Sequence, residues 1–172
     1  MLRPHIPKQD PSLTSTNPIT YESSTHIPGE TIFRLFSLVG WIKPRREKPT
    51  VHVKIDAISN HTLYLDGTAY DFEFLETTFR NSTAIYSAQH DNEIVGFVRV
   101  LSDSRQRSVL YDFVVNPEYQ HLGIGTMLLE RCLKDFSQTQ ITLGTSSPNM
   151  NFYEKFGFAR SQNYMELSTE AF

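Results

Sequence analysis

Pro117 to Thr126 read PEYQHLGIGT, set between an apolar run, YDFVVN (Tyr111–Asn116), and a helix-patterned run, MLLERCLKDF (Met127–Phe136). Two glycines one residue apart, Gly123 and Gly125, stand where a helix should begin, although each costs a helix about 0.5–1 kcal/mol relative to alanine. A helix that follows a strand and a tight loop presents unpaired backbone N–H groups and the positive end of its dipole, and the two together bind phosphate. Glycine leaves that backbone open to close approach by a bulky anion. The stretch is therefore read as the ligand-binding turn of a strand–loop–helix unit.

Two common phosphate loops do not match it. A Walker loop requires lysine and then serine or threonine after its last glycine, whereas Gly125 is followed by Thr126 and Met127. A dinucleotide fingerprint requires a third glycine where Leu128 stands. The pattern that remains is Gln120-x-x-Gly123-x-Gly125, preceded by V-x-P at Val115–Pro117. It resembles the pyrophosphate-binding motif of the GNAT superfamily of acyl-CoA-dependent N-acyltransferases. A second motif extends the likeness: FYEKFGF, Phe152–Phe158, is similar to the family's aromatic–tyrosine pair followed by Gly-Phe. The resemblance covers roughly Ile19 to Leu167 and is strongest from about Ala84 onward.

The resemblance implies a set of site residues. The strand before the loop, carrying Phe113, Val114 and Val115, would run beside the pantetheine arm of coenzyme A. The loop Gln120, His121, Leu122, Gly123, Ile124, Gly125 and Thr126 would cradle the pyrophosphate, mainly through main-chain N–H groups. Asn149 and Phe152 would lie near the cofactor, and the Tyr153 phenol would donate a proton to the departing thiolate. A backbone N–H at Val114 or Val115 would stabilise the oxyanion.

Acyl transfer from a thioester also needs a neutral amine. The candidate base is Asp112, because alternation sends Asp112 and Val114 to one face of their strand and Phe113 and Val115 to the other, and an acid among apolar neighbours is uncommon. A hydrogen-bonded structural role for Asp112 is the alternative. Tyr111 and Glu93 are weaker candidates. Asn149 is also placed to cap a helix after Pro148, and Ser146 and Ser147 share that ambiguity. Cys132, among Leu128, Leu129 and Leu133, reads as a packed small residue rather than a nucleophile. The six histidines show no HExxH spacing, and no GxSxG elbow is present, so neither a metal site nor a serine nucleophile is expected.

The rest of the chain supplies the fold class. A proline-bearing stretch at residues 1–18 reads as an extended tail, and 19–172 as one domain. Within it, ITYES suggests a strand; GETIFRLFSLVGW, with Ile32, Phe33, Leu35, Phe36 and Val39 on one face, suggests a helix ending at Gly40. An inserted hairpin is expected at about 43–69, from VHVKIDAIS and TLYLDGT, then a helix in AYDFEFLETTFRN. TAIYSAQ and EIVGFVRVLS form a hairpin turning at Asp91-Asn92, and SVLYDFVVN completes a meander. After the glycine loop come a helix, the strand QITLGT, a helix in PNMNFYEKF and a last strand in YMELS. The expected architecture is α+β in three layers: a mixed, mostly antiparallel central sheet with helices on both faces and parallel pairing near its middle.

Composition bounds the function classes. With 39% hydrophobic and 20% charged residues over 172 positions, the chain has the balance of one ordinary globular domain, and a net charge of -3 gives no global footprint for nucleic acid or an anionic membrane. A single cysteine excludes an intrachain disulfide framework and fits a reducing, cytoplasmic setting. No stretch approaches the ~20 apolar residues of a membrane span. The basic run Lys43, Arg45, Arg46, Lys48 reads first as a solvated loop. The expected function is N-acetyl transfer from acetyl-CoA to a primary amine by direct attack in a ternary complex. The alternative is an acyl-CoA-binding module without turnover. A homodimer is left open.

Overall fold

The computed structural model describes residues 17–42 and 72–161. The tail before residue 17, the inserted hairpin, the basic run at 43–48 and the last strand in YMELS lie outside the described residues.

Five strands form one sheet in chain order: β1 (Thr20–Ser24), β2 (Ala84–His90), β3 (Glu93–Ser102), β4 (Arg107–Val115) and β5 (Gln140–Leu143). The first three pairings are antiparallel and β4–β5 is parallel. The parallel pair is the last in the described sheet, and the strand expected after it in YMELS lies outside the described residues. The pairing senses follow connectivity: β2, β3 and β4 follow one another through tight turns, and only the helix between β4 and β5 forces a crossover. The β2–β3 turn has both central residues left-handed, Asp91 at φ 51° and Asn92 at φ 64°, the two-residue geometry that matches the twist of a hairpin.

Helix α1 (Gly29–Leu38) and helix α2 (Phe72–Arg80) lie on one face. Their apolar positions Ile32, Leu35, Phe36, Leu75 and Phe79 are buried with Phe97 of β3 and Val114 of β4. Gly40, at φ 77°, ends α1: its N–H donates to the Ser37 carbonyl and the Trp41 N–H reaches back to Phe36, closing the helix end. On the other face lies α3 (Ile124–Asp135), with Ile124, Leu128, Leu129 and Cys132 buried against Val98, Val100 and Leu110. Burying each such leucine contributes about 1.5–3 kcal/mol. That outweighs the propensity lost at Gly125, so tertiary packing holds a helix that glycine opens poorly.

The segment after β5 is less helical than its sequence suggests. A single 3-10 turn at Ser147–Asn149 leads into α4, which spans only Met150–Glu154. Gly157 at φ 87° follows, and the Gly157 and Phe158 N–H groups donate back to Glu154 and Tyr153. Among the described residues no helix is long and apolar enough to cross a membrane.

Candidate active site

The site is built where β4 leaves β5. The two strands pair from Arg107↔Gln140 to Leu110↔Leu143, where β5 ends, while β4 runs on to Val115. Beyond Leu110 no described strand pairs with the β5-side edge of β4.

A bulge interrupts β4 in that unpaired stretch. Tyr111 opposes Arg99 and Val114 opposes Phe97, so Asp112 and Phe113 share the single partner position Val98. Asp112 is the residue that absorbs the irregularity, with a left-handed φ of 49°. Beyond it Val114 packs with the α1–α2 side, and Phe113 and Val115 pack on the α3 side. The faces of these residues follow the alternation read from the sequence. The bulge breaks that alternation one step earlier, since Leu110 and Phe113 share a face although three residues apart.

Main-chain direction separates Val114 from Val115. The Asn116 N–H donates to the Val95 carbonyl at 2.8 Å. In an antiparallel ladder bonded positions alternate, so Val114 also turns its N–H to β3, and Val115 turns its N–H and carbonyl outward to the opening. The Val115 carbonyl accepts a 3.0 Å hydrogen bond from Gln120 Nε2. Gln120 therefore braces the loop against β4 from an exposed position.

The loop itself is held by local geometry. Asn116 Oδ1 accepts from the Glu118 N–H at 3.1 Å, fixing the short turn Pro117–Tyr119. His121 at φ 65° and Gly123 at φ 85° then reverse the chain into α3. Leu122 is half-buried against the α3-side core and Ile124 is fully buried in it, so both offer only main chain; His121 is exposed. Gly123 at the N-cap has no side chain to cap α3, and the first turn carries no acid. The positive end of the helix is left for an anion.

Gly125 separates a packing role from a ligand role. A Cβ built on it lies 3.6 Å from Phe152 Cζ and 3.8 Å from Phe113 Cζ, which is ordinary van der Waals contact. Protein packing therefore admits a methyl group at a position where the sequence keeps none.

Phe113, Phe152 and Tyr153 form an edge-to-face set beside this turn, with centroids 6.0 Å apart for Phe113–Phe152 and 5.0 Å for Phe152–Tyr153. Phe158 closes on the Tyr153 ring at 5.9 Å. Burial pushes the Tyr153 phenol up to about 12, with a Thr145 hydroxyl hydrogen bond acting in the opposite direction. At neutral pH the phenol keeps its proton, the state an acid requires. Thr145 had no signal in the sequence motif.

Asp112 does not stand alone. Its Oδ2 accepts from Arg99 Nε at 2.5 Å, and the Arg99 guanidinium lies over the Tyr111 ring at 5.1 Å and the Phe79 ring at 5.5 Å. Arg99 was missed in the sequence, although a charge inside the buried run GFVRV was the available signal. Asn149 stands at the N-cap position of α4 without a side-chain capping bond, and its Nδ2 donates to Ser146 Oγ at 3.3 Å. Glu93 sits at the β2–β3 turn, 3.6 Å from Arg34, in a shallow polar concavity that carries none of the stronger candidates. Cys132 is buried in α3, with its thiol pushed up to about 12 by burial and then by Asp135. Among the described residues no group of three or more His, Cys, Asp or Glu side chains is arranged to hold a metal.

An open mixed sheet whose strands part before a glycine-led helix is the fold of the acetyltransferases. The sequence profile of the Acetyltransferase (GNAT) family matches residues 53–158, and the chain belongs to that family. It is 26% identical over 130 residues to the uncharacterized N-acetyltransferase ycf52 of Pyropia yezoensis, covering 74% of this chain and 62% of that protein. The chain therefore spans about three-fifths of the length of such relatives. In structure it is similar to a GNAT family acetyltransferase of Streptococcus pneumoniae TIGR4, at a TM-score of 0.63 and 24% identity over 88% of this chain and 98% of that one. It is also similar to a predicted acetyltransferase with acetyl-CoA from Clostridium acetobutylicum, at a TM-score of 0.56 and 15% identity over 90% and 98% of the two chains.

Proposed function

We propose that the protein is an N-acetyltransferase that moves an acetyl group from acetyl-CoA to a primary amine by direct attack in a ternary complex. The observation that carries this reading is the uncapped start of α3 at the open edge of β4, with Gly125 bare where a methyl group would fit. These residues fit a pyrophosphate-bearing ligand: the N–H groups of Ile124, Gly125 and Thr126 lack the i−4 carbonyls that later residues in α3 use, and the first turn holds no competing carboxylate.

The main chain of Phe113 and Val115 would hold the pantetheine arm along the open edge, and Phe152 would wall it. When bound, acetyl-CoA supplies the activated acyl group as a thioester. The outward N–H of Val115, rather than that of Val114 spent on β3, is the donor available to an oxyanion. Tyr153, kept protonated by burial, holds the proton for the thiolate. The acceptor amine attacks as the free base; its C–N bond forms as the C–S bond breaks, and the proton it sheds returns through solvent to Tyr153, replacing the one given to the thiolate.

A thiol-release assay with acetyl-CoA across a panel of amines, run beside calorimetry of acetyl-CoA binding, tests this. Turnover with at least one amine is expected. Binding with no release above hydrolysis would leave an acyl-CoA-binding module, and no binding would remove the cofactor assignment itself.

A further inference from the structure

Arg99 lies on β3 between Val98 and Val100, both buried on the α3 side, so its own side chain crosses to the α2 side. A guanidinium under a helix has to be neutralised and packed. Here the Phe79 and Tyr111 rings flank it, Nε holds the Asp112 carboxylate at 2.5 Å and Nη1 reaches Ser82 Oγ at 3.4 Å. The Arg99 and Asp112 side chains are 11% and 22% exposed.

The carboxylate so held belongs to the one left-handed residue of β4. A non-glycine residue in that region costs on the order of 1–3 kcal/mol and persists only where its surroundings over-determine it. The extra residue decides what faces the opening. Were Asp112 to take an ordinary strand position instead of bulging, parity would continue from Leu110, turning Phe113 and Val115 to the α2 side and Val114 to the α3 side. With the bulge, the Phe113 ring comes beneath Gly125.

We propose that Arg99 is a positioning residue for acyl transfer: by gripping Asp112 across the strands it holds the bulge that turns Phe113 and Val115 to the acyl-CoA opening. This rests on the function proposed above. Asp112 then shapes the strand instead of taking the amine's proton.

The test compares Arg99→Met, Arg99→Lys and the double variant Arg99→Met/Asp112→Gly, because glycine adopts a φ near 49° without an anchor. In ligand-free protein, amide hydrogen exchange at Val114, whose N–H turns to β3 just past the bulge, should quicken about tenfold in Arg99→Met relative to β2 amides. Its dissociation constant for acetyl-CoA should rise about tenfold, with a smaller rise in Arg99→Lys. The double variant should bring exchange and affinity back to within about threefold of wild type, with turnover following. Wild-type exchange and affinity in Arg99→Met would overturn the proposal. So would a double variant that binds acetyl-CoA normally, loses turnover and loses the acidic limb of the pH–rate profile, since Asp112 would then be the base. Should Arg99→Met not fold, Arg99→Lys and its double with Asp112→Gly carry the same comparison. A wild-type protein that does not bind acetyl-CoA would count against the proposed function and leave the exchange comparison to decide Arg99.

Discussion

The ring of Tyr153 stands edge-to-face against the ring of Phe113, with 6.2 Å between centroids. The contact spans the opening, locking α4 to β4 where the two strands have parted. Phe113 reaches that position only because of the bulge, so the aromatic wall and the strand irregularity are one arrangement.

Tyr153→Phe keeps this ring packing and removes only the hydroxyl. Steady-state kinetics should show kcat lower by about a hundredfold, the usual scale for losing a general acid. Calorimetry should show acetyl-CoA affinity within about threefold of wild type. Unchanged turnover would take Tyr153 out of the mechanism.

Gly125→Ala adds a methyl group at ordinary contact distance from Phe152 and Phe113. Helix propensity gains about 0.5–1 kcal/mol, so thermal unfolding should move up slightly or stay level. Acetyl-CoA affinity should fall about tenfold or more, because the Cβ enters the space kept for the anion. A variant that is destabilised and binds normally would make Gly125 a packing residue.

Gly29→Ala acts on the opposite side of the sheet. A Cβ there would lie 2.2 Å from the Phe72 carbonyl oxygen, a clash with main chain that no rotamer relieves. The α1–α2 contact must open, at a cost of about 1–3 kcal/mol in urea unfolding. Stability equal to wild type would show that α2 can shift at no cost.

The raised pKa of Tyr153 sets an alkaline limit. Burial lifts the phenol from 10.0 to about 12, so the folded state holds this proton more tightly than the unfolded chain. Its contribution to stability is whole below pH 10 and is lost as pH rises toward 12. The urea midpoint of wild type should therefore drop more steeply over that window than that of Tyr153→Phe. Parallel curves would show the phenol to be solvated.

Cys132 should resist thiol reagents in the native state, since its thiol is buried in α3 and pushed up to about 12. Labelling with a chromogenic disulfide should proceed only at the rate of unfolding. Fast native labelling would mean that α3 opens locally.

Much of this molecule is written in local sequence. Asp91-Asn92 between two alternating runs specifies the hairpin, because both residues tolerate left-handed backbone. Gly40 ends α1 for the same reason. Ile32, Leu35 and Phe36 mark the buried face of α1 by spacing alone. Gly123 and Gly125 announce the turn into α3 because the cost of glycine is local, and so is the backbone freedom it gives.

Tertiary structure decided what local rules do not reach. Nothing around Asp112 announces a bulge, since aspartate is no more than tolerant of that backbone. The grip comes from Arg99, thirteen residues away in sequence and adjacent only once β3 and β4 pair. Val114 and Val115 are chemically equivalent as letters, and the ladder bond of Asn116 to Val95 distinguishes them. The sequence determined that a phosphate-binding turn exists and which helix carries it. Strand pairing alone decided which edge of β4 stays open, because hydrogen-bond direction and face are properties of two strands together.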